Sequence, residues 1–291
     1  MNTAIITTVL LCLAPWPISE GFGAWLDAQA KEKSSDEVKS TLGQAPPQGA
    51  VVLFDGSNFD AWKPFSWQWI NPKDDQEEVQ WKLVDGKAMQ IAFEFNGKRQ
   101  KQFLCTKEKF GDYRLHLEFQ LPEDDGKGNS GIFFGPLYEL QILDSSNKEE
   151  AGLGDCGAIY QIRAPDMNAG LGPGAWQTID LEYQAAEIGR NGFMTEKGAA
   201  RVTVRLNGKL IHEDVRLSLR RNKYAAYPEE PRSPIVLQEH GSPVKFRNIW
   251  VLEKTAKNWA VGSESHEEVD HWKCCIPAVG HWDGWARRSA D

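Results

Sequence analysis

Residues 114–121 read RLHLEFQL. Leu115, Leu117, Phe119 and Leu121 take every second place, and Arg114, His116, Glu118 and Gln120 fill the places between. A period of two marks a strand with one apolar and one polar face. The alternation recurs in TIDLEYQ (178–184), where Ile179, Leu181 and Tyr183 oppose Thr178, Asp180, Glu182 and Gln184. It returns in RVTVRL (201–206), which runs through Asn207-Gly208 into KLIHEDV. Asn-Gly between two such runs favours a two-residue hairpin, because both central residues adopt positive φ there. YELQILD (138–144), IVLQEH (235–240) and FRNIWVL (246–252) complete the series. No long segment of period 3.6 lies between them. The pattern predicts an all-β domain of two antiparallel sheets packed face to face.

The flanks read differently. The apolar run Ala4–Ala14 is too short to span a bilayer and suits the core of a secretory signal, with Ala28-Gln29-Ala30 as a cleavage pattern. Residues 1–30 are therefore expected as a signal peptide, and the protein as secreted or periplasmic. No other stretch is apolar enough for an integral membrane span. Residues 31–50, rich in Ser, Pro and Gly, read as a linker, and 51–252 as the sandwich domain. Residues 253–291 form an irregular tail with Trp259, Trp272, Trp282 and Trp285 beside His266, His271, Cys274, Cys275 and His281; their spacing matches no standard zinc site. Of the 5 Cys, Cys12 falls within the signal. Cys105, Cys156, Cys274 and Cys275 remain, and one or two disulfides are expected in an oxidising compartment, with the pairing open. The net charge of −8 and the absence of a Lys/Arg block argue against a nucleic-acid partner. The 12 Trp supply core mass and also flat faces for sugar rings.

Chemistry is sought on the polar faces. In YELQILD, Glu139 and position 141 share a face about 6.6 Å apart at Cα. Position 141 is Gln, which is neither nucleophile nor base. Asp144 is about 16 Å along an unbroken strand and of opposite parity. Retaining and inverting glycosidases hold two carboxyl groups about 5–5.5 Å or about 6.5–9.5 Å apart, so this stretch alone builds no such pair; Glu118 or Glu182 stays open as a partner. Glu139 is the first candidate for base or metal ligand. His240, ending a run beside a Gly-Ser turn, is a candidate acid, base or metal ligand. His116 shares a face with Glu118 and is a candidate second histidine. Arg247 either binds a sugar oxygen or pairs with a carboxylate, and Trp176 either stacks on a sugar or fills the core. The acidic loop EDDGKGNSG offers Asp124, Asp125 and Asn129 as hard oxygen ligands, without EF-hand spacing. A divalent metal held by His and Glu in the groove would stabilise an enolate; no cofactor is otherwise expected.

The segments LFDGSNFDAW (53–62), WKLVDGKAMQI (81–91), FGDYRLHLEFQLP (110–122), GNSGIFF (128–134), YELQILD (138–144), GAIY (157–160), GAWQTIDLEY (174–183), VRLNGKLI (204–211) and IVLQEHGSPVKFRNIWV (235–251) follow in an order that resembles the 3-keto-disaccharide hydrolase family. The resemblance implies a concanavalin A-like jelly-roll sandwich, a sugar-facing groove on one sheet and a carbohydrate substrate oxidised at C3. It marks Asn129-Ser130-Gly131, Glu139, Gln141, Asp144, Tyr160, Trp176, Gln238, His240 and Arg247 as site positions, with Asn129, Gln141, Asp144, Tyr160, Trp176, Gln238 and Arg247 binding substrate. The Arg that the family carries soon after Asn-Ser-Gly is absent, and Gly135 stands in that region. The chemistry implied is proton abstraction at C2, elimination at C1 and hydration, which needs a base, an enolate stabiliser and an acid. A non-catalytic carbohydrate-binding module and a conventional endo-glycosidase remain as alternatives.

Overall fold

The alternating runs fold as strands of two stacked antiparallel sheets. The structure, a computed structural model, describes residues 39–65, 78–92, 94–95, 98–99, 102–124, 127–135, 138–189, 198–217 and 230–254. The expected signal peptide and the tail from 255 onward lie outside the described residues.

The larger sheet runs in the order β13 (Lys209–Arg216), β12 (Arg201–Leu206), β11 (Trp176–Gln184), β8 (Tyr113–Gln120), β15 (Lys245–Glu253), β4 (Ala88–Gln90) and β3 (Lys82–Val84), with β1 (Val51–Phe54) also paired to β15. The smaller sheet runs β10 (Tyr138–Ile142), β9 (Ser130–Phe134), β14 (Val236–Leu237), β7 (Phe103–Thr106) and β2 (Trp62–Phe65). A separate short hairpin joins β5 (Glu94–Phe95) to β6 (Lys98–Arg99). Several strands neighbouring in space, such as β8 with β11 and β15 and β14 with β7 and β9, are distant in sequence, as in a jelly roll. No described residue is helical, and no helix among them is long and apolar enough to cross a membrane.

Parity decides the core. Leu115, Leu117 and Phe119 of β8 and Ile179, Leu181 and Tyr183 of β11 point inward, where they meet Leu104, Ile132, Phe134, Tyr138, Leu140 and Ile142 of the smaller sheet. Each such side chain, fully buried, stabilises the fold by about 1.5–3 kcal/mol before entropy is counted. Asn207 and Gly208 take φ of 53° and 78° and close the β12–β13 hairpin as the sequence predicts.

In β15 the simple alternation breaks. Asn248 sits at φ 47°, and the register with β8 shifts between Arg247 and Trp250. This bulge inserts one residue, so Phe246, Ile249 and Val251 face the core while Arg247, Asn248 and Trp250 face out.

The expected linker is a strap from residue 39 onward. Thr41 Oγ1 donates to Asp180 Oδ2 (2.6 Å), the Gly43 N–H to Glu118 Oε1 (2.6 Å), and Gln44 O accepts from Asn248 Nδ2 (3.0 Å). These contacts pin the strap to the outer face of the larger sheet.

The disulfide expectation is corrected for two of the cysteines. Cys105 and Cys156 are buried and neither is in a disulfide. Cys156 lies in the main core, where burial pushes its thiol up to about 11, and Cys105 lies in a small cluster outside the smaller sheet. Cys12, Cys274 and Cys275 are outside the described residues.

Candidate functional site

The outer face of the smaller sheet is where the polar half of YELQILD points. Antiparallel partners share a face, so the pairs Glu139↔Phe133 and Gln141↔Gly131 place all four side-chain positions together. Val236↔Phe133 and Val236↔Cys105 extend that face to β14 and β7. One end is apolar, with Phe103, Cys105, Phe133 and Val236 in contact and Phe65 against them. The other end is polar, with Glu139, Gln141 and Gln238. Glu139 and Gln141 are only 6 % and 5 % exposed, so this is not a water-washed strand face.

Glu139 is held from two sides. Its Oε1 accepts from Gln238 Nε2 at 2.8 Å. The Gln238 backbone is fixed in turn, its N–H donating to Gly131 O (2.9 Å) and its carbonyl accepting from Ser130 Oγ (2.7 Å). Gly131 supplies the space: a Cβ there would lie 2.6 Å from Glu139 Oε1. Gly131→Ala is therefore expected to push the carboxylate aside while the surrounding backbone stays. A displacement of about 1 Å costs about 10²-fold in rate, so turnover should fall by that order with an unchanged melting temperature.

A second chain of contacts fixes a histidine. Gln141 Nε2 donates to Asn129 Oδ1 (3.2 Å), which leaves Asn129 Nδ2 to donate to His240 Nδ1 (3.1 Å). With Nδ1 accepting, the neutral ring carries its proton on Nε2. His240 is exposed and presents that N–H outward. Ser242 Oγ accepts from the Asn129 N–H at 3.0 Å. Ser242 was not among the sequence candidates; its only signal was its place in the Gly-Ser turn after His240. Tyr160 runs along the free edge of β10, its N–H donating to Glu139 O at 2.8 Å.

The structure thus gathers Asn129, Glu139, Gln141, Tyr160, Gln238 and His240. Asp144 stands at the end of this group and turns on itself, its Oδ1 accepting from Ser146 N–H (3.1 Å) and Oγ (2.8 Å). His116, Arg247 and Trp176 are elsewhere, on the outer face of the larger sheet and a full sandwich core away. Stacked sheets pack about 10 Å apart. There His116 Nδ1 lies 2.8 Å from Asp180 Oδ1, and its ring stacks on Trp250 with centroids 5.0 Å apart. Arg247 Nε donates to Glu118 Oε2 at 2.6 Å, and its guanidinium carbon stands 3.9 Å from the centre of the Trp176 ring. Of the two roles open for Arg247, the structure shows carboxylate pairing. Glu118 and Glu182 also face out from the larger sheet, so neither is a second carboxylate for Glu139.

Burial alone would raise the Glu118 carboxyl. Contacts from His116, Asn248, Arg247 and the Gly43 N–H outweigh it and bring the group down to about 2. Burial alone would lower His116, but Asp180 and Glu118 reverse this and raise it above the ordinary imidazole range. An open cleft of about 580 Å³ lies on this side too, between Gln90, Gln120, Glu123, Asp124 and Lys245. Its ammonium group is tied to Asp85 at 2.7 Å, and it holds no histidine.

Among the described residues no three His, Cys, Asp or Glu side chains converge on one point. Glu139 and His240 are residues of kinds that bind metals, but in the tautomer above both His240 nitrogens are engaged, Nδ1 by Asn129 and Nε2 by its proton.

The sequence model of the 3-keto-alpha-glucoside-1,2-lyase-like domain matches residues 49–252. The chain belongs to that family. Outside the family model, this lyase-like domain is similar to a "putative glycosyl hydrolase" from Parabacteroides distasonis solved at 2.13 Å. Identity is 31 % over 72 % of this chain and 85 % of the other, with a TM-score of 0.59. A second chain of the same description and organism, solved at 1.70 Å, is 17 % identical over 72 % of this chain and 95 % of its own, with a TM-score of 0.52, and shares the fold. No curated protein matches the chain. The lyase-like domain carries its Glu139 group on β9, β10 and β14, all within the matched residues.

Proposed function

We propose that the protein cleaves 3-keto-glycosides, with Glu139 as the base. One observation carries the reading. Among the described strand residues on the outer face of the smaller sheet, Glu139 is the only carboxylate, and the Gln141 amide on the strand and Asn129, Gln238 and His240 at the strand ends accompany it. Hydrolysis by an ordinary glycosidase uses two carboxyl groups across the scissile bond. Elimination needs only one base, because a ketone at C3 acidifies the C2 proton.

In this reading the Glu139 carboxylate takes the C2 proton, and the C2 electron pair moves into an enolate on the C3 oxygen. The pair then returns to form the C1–C2 double bond as the C1–O bond breaks. The leaving oxygen takes a proton, and water adds across the double bond to give the free 3-keto sugar. The His240 Nε2–H is the donor set to serve the leaving oxygen, and the Asn129 and Gln141 amides hold that ring in the required tautomer. Gln238 donates to one of the two carboxylate oxygens. Its own Oε1 is buried without a partner, an acceptor placed for a sugar hydroxyl. If a divalent metal binds, Glu139 would ligate it together with His240 in its other tautomer, Nε2 unprotonated, and the metal would add Lewis-acid stabilisation of the enolate. The apolar run Ala4–Ala14 supports a secreted or periplasmic place for this activity.

The test is to incubate the purified protein, with and without EDTA, with 3-keto-trehalose and with trehalose, following free sugar by chromatography. Release from the keto sugar alone is expected. Release from both would overturn the elimination reading in favour of a glycosidase. Binding without release from either would make the groove a recognition module. Loss of release with EDTA would show that the reaction needs a divalent metal.

A further inference from the structure

His212 takes no part in the chemistry above, yet it is wholly buried and reaches from one sheet to the other. It lies on β13, at the edge of the larger sheet. Its Nε2 is 2.7 Å from the carbonyl oxygen of Gly157, so Nε2 donates. Gly157 begins a segment that runs along the free edge of β10. Its N–H donates to Gln141 O (2.9 Å), the Gln141 N–H donates to Ala158 O (2.9 Å), and the Tyr160 N–H donates to Glu139 O (2.8 Å). Residues 157–160 therefore act as an irregular extra strand beside the two residues that carry the groove's base and amide. Gly157 is also pressed against β13: its φ is +80°, and a Cβ there would lie 2.6 Å from Ile211 Cδ1. The edge of one sheet is thus tied to the edge of the other at this segment through the imidazole N–H, with the Asp166 N–H donating to Ile211 O (2.9 Å) further along the chain.

We propose that His212 is a positioning residue for the groove, holding the segment 157–160 and through it the Glu139–Gln141 edge of β10. The buried site favours the neutral ring, because a charged ring keeps the Nε2–H but must be buried with it. Nδ1 has no partner, so a proton added there is buried without an acceptor. The charged groups nearest it oppose each other, Arg163 disfavouring that proton and Asp166 favouring it. Burial is the largest influence and holds the group below the ordinary imidazole range. The tie is accordingly complete above that range and weakens as pH falls below it.

The proposal deepens the reading of Glu139 as base, and its experiment separates the two. Hydrogen exchange of residues 141–160 is followed in the full chain and in two variants. His212→Leu removes the donor at similar volume, and His212→Gln restores one near the place of Nε2. In His212→Leu the amides of Gln141, Gly157 and Tyr160 should exchange about tenfold faster, with β8 and β11 unchanged, and His212→Gln should return them to the wild-type rate. Opening in the wild type, corrected for intrinsic exchange, should rise as pH drops below about 6.5, and this acid step should be missing in His212→Gln. With 3-keto-trehalose, kcat of the Leu variant should fall about tenfold with KM held within about twofold, and Gln should rescue it. Wild-type exchange in His212→Leu, or a Gln variant as fast as Leu, would overturn the tie. A loss carried by KM alone would overturn its positioning role. If the wild type leaves the keto sugar intact, the elimination reading fails, and the exchange arm still decides the tie.

Discussion

Glu139→Gln should lower kcat on a 3-keto-glycoside by about 10³-fold while the fold and substrate binding survive. General-base catalysis contributes about 10²–10⁴-fold, and no other described strand residue on that face carries a carboxylate. The substitution is mild structurally. Glu139 Oε1 accepts from Gln238 Nε2, and the amide oxygen of glutamine can accept the same hydrogen bond. An equal drop in kcat and kcat/KM, with unchanged sugar affinity by calorimetry, would identify a group that acts only in the transition state. Retained turnover would remove Glu139 from the mechanism. A weakened affinity with intact kcat would make it a recognition residue.

The second large effect concerns stability. Arg247→Met should destabilise the domain by about 3 kcal/mol, because the fully buried Glu118 carboxylate loses its cationic partner. For a domain of this size that is roughly a 10 °C drop in melting temperature. The double variant Arg247→Met with Glu118→Met should recover much of the loss, since no charge is then stranded. Turnover of the folded Arg247→Met protein should equal that of the wild type, because the pair lies on the sheet opposite Glu139. A selective loss of turnover would return Arg247 to the substrate-binding group. The pH dependence follows from the same carboxylate. Its folded value of about 2 lies below the usual 4.5. Its stabilisation is therefore present above about pH 4.5 and is lost as pH falls from there toward 2. Unfolding measured along this range should show that loss in the wild type and not in Glu118→Met. His116, raised rather than lowered, contributes in the opposite sense: its share is present at acid pH and is lost as pH rises through its folded value.

Period-two alternation was sufficient to find the sandwich, because each strand has one face in the core and apolar side chains mark it. RLHLEFQL and TIDLEYQ place their core residues as their parity predicts. Parity says nothing of which sheet a strand joins. His116, Glu118 and Glu139 all sit on outward faces, and only the pairing of β8 with β11 and of β9 with β10 shows that these faces are on opposite sides. That is why His116, Arg247 and Trp176 were grouped with Glu139 in the sequence. The β15 bulge hid a further detail: FRNIWV cannot be phased without knowing that Asn248 takes positive φ. The strap of 39–50 was illegible because Ser, Pro and Gly mark irregular backbone whether it is free or pinned. Gly131 looked like part of a turn motif, whereas its use is to leave room for a carboxylate two strand positions and one neighbour away.

The strap also sets an orientation. Thr41 and Gly43 are fastened to Asp180 and Glu118 on the outer face of the larger sheet, so the chain reaches the domain on the side turned away from Glu139. An affinity handle or surface anchor attached at residue 39 would therefore immobilise the molecule back-first, with the groove looking into solution. A graft placed in the Gly-Ser turn after His240 would do the reverse and block the mouth it was meant to display.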